Sequence, residues 1–122
     1  MTSCLVVDDS RMIRRVASRI LKDLKFETSE AENGQDAIDK CNIDMPDAIL
    51  LDWNMPVMDG LQFLSALRDM PDGEKPQVVF CTTENDVGHI ARAIRAGANE
   101  YIMKPFDREI VHAKFQEVGL ID

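Results

Sequence analysis

The chain has 122 residues, 45% of them apolar and 30% charged, with a formal charge of −8 at pH 7. That is enough chain for one domain able to bury well over half of its unfolded surface, and too little for a second. No apolar run is long enough to cross a bilayer or to act as a secretion signal, so the chain reads as soluble, cytoplasmic and without a membrane partner. The negative charge, together with the lack of a basic stripe of Lys and Arg, argues against nucleic acid as a partner. Cys4, Cys41 and Cys81 are odd in number and lack metal-ligand spacing. They read as small hydrophobes in a reducing compartment.

In chain order, Cys4 to Val7 is a short apolar strand that stops at Asp8-Asp9, and Ser10 then offers a helix N-cap. Ile13, Val16, Ala17, Ile20, Leu21 and Leu24 follow at helical spacing and predict a helix packed on that stripe. Phe26 to Ala31 is more polar and reads as an edge strand, with Asn33-Gly34 turning into a helix that carries Ala37, Ile38 and Cys41. Ala48 to Leu51 is an unbroken apolar run ending on Asp52, the pattern of a buried parallel strand that delivers a carboxylate to its C-terminal edge.

Beyond Gly60, Leu61, Leu64 and Leu67 predict a third helix, closed by the Pro71-Asp-Gly73 turn. Gln77 to Cys81 is a fourth strand, ending at Thr82-Thr83. Val87, Ile90, Ala91 and Ile94 define a fourth helix, weakened in its first turn by Gly88 and ended by Gly97 at C′. Tyr101 to Met103 is a fifth strand that stops at Lys104-Pro105, and Asp107 caps a last helix bearing Ile110, Val111, Phe115 and Val118.

Five strands alternating with five helices imply a doubly wound α/β domain, since right-handed crossovers place helices on both faces of a parallel sheet. The polar residues that interrupt the apolar runs all fall at strand C-termini: Asp8, Asp9, Asp52, Thr82 and Lys104. Open α/β sheets bind ligands in the crevice beyond those ends, so one crevice can collect all five. Singly each has a plain reading, a helix cap, a strand-end hydroxyl or a solvated lysine. His89 and His112 read as helix-surface residues, Trp53 as a partly exposed neighbour of the crevice, and Met55 and Met58 as loop packing.

Val7-Asp-Asp9, Asp52-Trp-Asn-Met-Pro56 with Met-Asp-Gly60, Thr82 and Lys104-Pro-Phe106 resemble the receiver domain of response regulators, most closely its single-domain chemotaxis type. The resemblance spans Cys4 to about Gly119 and implies one receiver domain over 1–122, with a flavodoxin-like sheet of strand order 2-1-3-4-5. A chemotaxis regulator is a standard example of that order. The resemblance further implies Asp52 as phosphoacceptor, assisted by Thr82 and Lys104, and Mg²⁺ held by Asp9, Asp52 and the Asn54 carbonyl, with Asp8 acting mainly through water. Three converging carboxylates call for a hard cation on chemical grounds as well.

The implied donor is a histidine kinase or a histidine phosphotransfer protein, and the implied listener is a motor switch protein or a kinase. The output surface is expected around Ile90, Ile94, Tyr101 and Lys114, with Lys104-Pro105 as a cis peptide. Asn54 and Glu84 are expected to set the lifetime of the phosphoryl group. The chain is expected to be no enzyme beyond its own phosphorylation and dephosphorylation. A phosphate sink or relay intermediate, or a constitutive pseudo-receiver, are the alternatives. A small-molecule phosphatase fits less well, because Asn54 stands where a general acid would be needed. Ser10 and the segment Asp107 to Phe115 depart from the enteric chemotaxis pattern.

Overall fold

The computed structural model describes residues 2–83 and 87–122. Strands β1 (Ser3–Val7), β2 (Glu27–Ala31), β3 (Ala48–Asp52), β4 (Gln77–Thr82) and β5 (Glu100–Met103) alternate with helices α1 (Arg11–Asp23), α2 (Gly34–Ile43), α3 (Gly60–Asp69), α4 (Val87–Ala96) and α5 (Arg108–Glu117). All strands pair in parallel in the order β2-β1-β3-β4-β5. β3 is buried along its whole length, as a central parallel strand covered on both faces must be, whereas polar β2 takes the edge.

Leu5, Ile49, Phe63, Leu64 and Phe80 form the core on the side of α2, α3 and α4. On the side of α1 and α5 the core is built on Val6, Leu21, Leu50 and Val79, with Phe26 edge-on to Phe115 at 5.3 Å. The expected caps Ser10 and Asp107 are in place, accepting the amides of Ile13 and Ile110 at 3.3 and 2.9 Å, and Asn33 of the expected turn caps α2 by accepting the Asp36 amide at 2.8 Å. Asp59 and Gln62 add a reciprocal capping box at the start of α3, which apolar spacing alone does not reveal. Gly97 ends α4 with φ of +113°, as a C′ glycine.

The helix faces correct the sequence reading in several places. On α1 the buried stripe is centred on Ala17, Ser18 and Leu21, so Val16 falls at its margin and is exposed. On α3, Phe63 replaces Leu61 at the centre of the buried face. α4 forms as expected and buries Ala93 alone, with Val87 80% and Ile94 45% exposed. Ile90 and Ala91 of the same stripe are half-buried. A basic stripe does exist: Arg11, Arg15, Arg19 and Lys22 lie exposed along α1, assembled by helical spacing from residues that look scattered in sequence.

Two residues fix the framework, Arg68 at the N-terminal edge of the sheet and Gly60 beside the crevice. The Arg68 guanidinium donates to the carbonyls of Gly73, Pro76 and Gly97 at 2.8, 3.0 and 2.6 Å, tying the end of α3 to the α3–β4 loop and to the end of α4. Gly60 opens α3 directly behind the end of β3, with its amide on the Trp53 carbonyl at 2.8 Å. A Cβ there would stand 2.1 Å from the Asp52 carbonyl oxygen and 2.8 Å from the Phe80 ring. Backbone cannot yield as a flexible side chain does, so Gly60→Ala should destabilise the domain by about 3 kcal/mol or more, read as a lower urea midpoint at unchanged m-value.

Candidate functional site

Because β1 and β3 are neighbours and Val7 pairs with Leu51, Asp8 and Asp52 emerge side by side at the C-terminal edge of the sheet. Lys104, the residue after β5, donates its backbone amide to the Thr82 carbonyl at 2.8 Å, which fixes the start of its side chain. The ammonium then reaches past the end of β4 to Asp8 Oδ2 at 2.9 Å and Asp52 Oδ1 at 3.0 Å. Asp8 and Asp52 are buried and Asp9 is exposed, and all three offer oxygens within 4.8 Å of one another.

Asp8 is held from every side. Its amide donates to the Ala31 carbonyl at 3.1 Å, its Oδ1 accepts the Ser10 amide at 2.9 Å, and its carbonyl accepts Arg14 Nη1 at 2.7 Å. Arg14 is itself fixed by Glu30 at 3.1 Å. Neither Arg14 nor the Ser10 amide was singled out from the sequence. An arginine among several on one helix gives no sign of which neighbour it will reach.

Burial pushes the Asp52 carboxyl above the ordinary carboxylate range. The hydrogen bond from Lys104 pulls it back, and the charges of Asp8 and Asp9 push it up again. Burial alone would lower the Lys104 ammonium, but its bonds to Asp8 and Asp52 outweigh that and raise it. The site therefore holds a fixed cation between two carboxylates, one of which pays an electrostatic penalty for its charge.

Thr82 closes β4 as a buried hydroxyl at the same edge, while Asn54 is exposed on the loop after β3. Glu84 lies outside the described residues. Lys104-Pro105 is cis, as the resemblance implied. On the far side of β5, Tyr101 is half-buried, with Lys114 Nζ 5.2 Å from its ring centroid and 3.6 Å from Glu100. Ile90 is half-buried and Ile94 exposed on α4.

Trp53 corrects the sequence reading: it is buried rather than partly exposed, with its ring 5.0 Å from Phe80 and 5.1 Å from His89. His89 is accordingly half-buried and packed, not a bare surface residue. Met55 is buried and Met58 packs on the core, as loop packing requires. The three thiols are free and buried, and burial lifts Cys4 and Cys81 to about 12 and Cys41 to about 11. They stay protonated and inert.

A cavity of about 290 Å³ lined by Ser3, Leu5, Ser29 and Ile43 lies at the opposite, N-terminal edge of the sheet and collects none of these groups. No helix among the described residues is long and apolar enough to cross a membrane.

Comparison with known proteins agrees with this geometry. The family model described as the response regulator receiver domain matches residues 4–116. The chain is 38% identical over 112 residues to the chemotaxis protein CheY of Listeria monocytogenes, covering 91% of this chain and 92% of that one. It is 35% identical over 116 residues to CheY1 of Helicobacter pylori, covering 93% and 94%. Among solved structures, the chemotaxis protein CheY4 of Vibrio cholerae superposes with a TM-score of 0.92 at 33% identity, covering 97% of this chain and 98% of that one. Fold, crevice and relatives agree: the chain belongs to the response regulator receiver domains, of the chemotaxis CheY type, and its place is in two-component signalling.

Proposed function

We propose that this protein accepts a phosphoryl group on Asp52 from a histidine kinase or a histidine phosphotransfer protein, and signals in the cytoplasm by phosphorylation-dependent protein binding, with motility control as its setting. The observation that supports this reading best is the convergence of Asp8, Asp9, Asp52 and Lys104 in one crevice from three strand ends.

Lys104 engages Oδ1 of Asp52, which leaves Oδ2 to attack phosphorus. The new O–P bond forms as the N–P bond of phosphohistidine breaks, and the electron pair returns to the donor imidazole. The Lys104 ammonium and the Thr82 hydroxyl stand at the strand ends to meet charge on the transferred oxygens.

The acidic cluster fits a divalent cation: three carboxylate oxygens within 4.8 Å of one another are hard donors that a single ammonium does not fully neutralise. Asp9, Asp52 and the Asn54 carbonyl would hold Mg²⁺, with Asp8 acting through water. When bound, it would neutralise carboxylate charge and bind phosphoryl oxygens. Asn54, and Glu84 outside the described residues, are assigned to the path of the attacking water that ends the signal. The protein turns over no other substrate in this reading, and its listener is a motor switch protein or a kinase docked around Ile90, Ile94, Tyr101 and Lys114.

Two measurements test the site. With acetyl phosphate and Mg²⁺, the native chain should gain the mass of one phosphoryl group, and Asp52→Asn should gain none. A carboxyl raised in the fold makes folding less favourable as pH rises through its range, so Asp52→Asn should also melt higher at pH 7, on the order of 3–5 °C. That advantage should shrink as pH falls through the raised range of the folded carboxyl and be gone by about pH 4, where the group is protonated in the folded and the unfolded chain alike.

Lys104→Met removes the cation from between two buried carboxylates and should cost about 2–4 kcal/mol at pH 7. Millimolar Mg²⁺ should restore part of the loss. A melting temperature indifferent to Mg²⁺ in that variant would count against a metal site here.

A further inference from the structure

Trp53 follows Asp52 directly, and its carbonyl is pinned by the Gly60 amide at 2.8 Å. Its ring leaves the crevice and runs under α4, where His89 meets it edge-on at 5.1 Å and the Arg92 guanidinium lies 6.0 Å from its centroid. His89 and Arg92 are three residues apart and so share one side of the helix. On its other side the ring packs on Phe80 of β4 at 5.0 Å.

The helix that receives this ring is weakly held. α4 buries Ala93 alone, where α1, α2 and α3 each bury three or four residues. Its C-terminal end is fastened, since Arg68 donates to the Gly97 carbonyl at 2.6 Å and the Ala98 amide closes on Ala93 at 3.0 Å. α4 thus meets Arg68 at its C-terminal end and the Trp53 ring along the side that carries His89 and Arg92.

We propose that Trp53 is the direct link between the phosphoacceptor and α4, with His89 and Arg92 as the side chains that take up its movement. The inference rests on the reading of Asp52 as phosphoacceptor. A group added to Asp52 must be accommodated by the adjacent backbone of residues 53 and 54. That backbone carries the Trp53 ring, so a small shift beside the crevice is delivered to the side of α4 that carries His89 and Arg92. An aromatic edge contact and a cation over a ring both depend steeply on placement, which suits them to register such a shift. This route runs from β3 straight to α4 and does not pass through Thr82 or Tyr101. His89, Arg92 and Trp53 are positioning residues and touch no reacting atom.

The test is amide hydrogen exchange of residues 87–96 with and without Mg²⁺ and beryllofluoride, a mimic of the phosphoryl group, in the native chain, in the double variant His89→Ala with Arg92→Ala, and in Trp53→Phe. Phosphoryl uptake from acetyl phosphate is followed by intact mass on the same samples. In the native chain, exchange in α4 should change about five-fold or more on activation. The double variant, altered only at half-buried and exposed positions, should take up the phosphoryl group at the native rate while its α4 no longer responds, and Trp53→Phe should lose the response too.

A full α4 response in the double variant overturns the link, as does a native α4 that stays unchanged while uptake proceeds. A native chain that takes up no phosphoryl group at all sinks the phosphoacceptor reading instead, and the mass measurement tells the two failures apart.

Discussion

Two buried carboxylates side by side repel strongly, and a fold that places them so must supply a cation or leave one of them protonated. Here the cation is the Lys104 ammonium, 2.9 Å from Asp8 and 3.0 Å from Asp52. Its reach depends on β5 ending beside Thr82, on β4 lying between β5 and β3, and on β1 and β3 being neighbours. The strand order is thus a requirement of the electrostatics as much as of packing. The compensation is incomplete by design of the geometry: Asp52 keeps a raised carboxyl and Asp9 faces solvent, so the cluster retains appetite for further positive charge.

The parts of the molecule differ in how firmly they are held, and the difference follows the chemistry. Asp8 is held by the Ala31 carbonyl, the Ser10 and Arg14 donors and Lys104, which leaves it little freedom. Asn54 is exposed, and α4 buries one residue. A rigid floor below and a lightly held helix above are what a switch requires, because low local stability is where conformational response is drawn from.

The strands were legible to within a residue because apolar runs such as Ala48 to Leu51 end on charged or hydroxyl side chains, and both facts are local. The crevice was legible for the same reason: Asp8, Asp52, Thr82 and Lys104 each terminate a run. Helix faces were less so. Val87 and Ile94 sit at helical spacing, and spacing alone does not say whether a stripe turns toward the sheet or away from it. The row of Arg11, Arg15 and Arg19 was missed because residues four apart look scattered until the helix is wound. Trp53 was misplaced because its burial depends on His89 and Arg92, some forty residues later in the chain, and on the angle at which α4 crosses it.

Arg68 holds the α3–β4 loop by the carbonyls of Gly73 and Pro76, not by any side chain of that loop. A carbonyl is offered by every residue type, so the identities of Glu74 and Lys75 are nearly immaterial to the attachment. Asp72 and Gly73 are the exceptions, since Asp72 sits at φ of +62°, which few side chains adopt readily, and a Cβ at Gly73 would fall 1.7 Å from the Leu67 carbonyl. The loop is therefore a place where sequence can drift while its path stays fixed. Position 68 is its counterpart, where lysine could not replace the planar fork that serves three carbonyls at once.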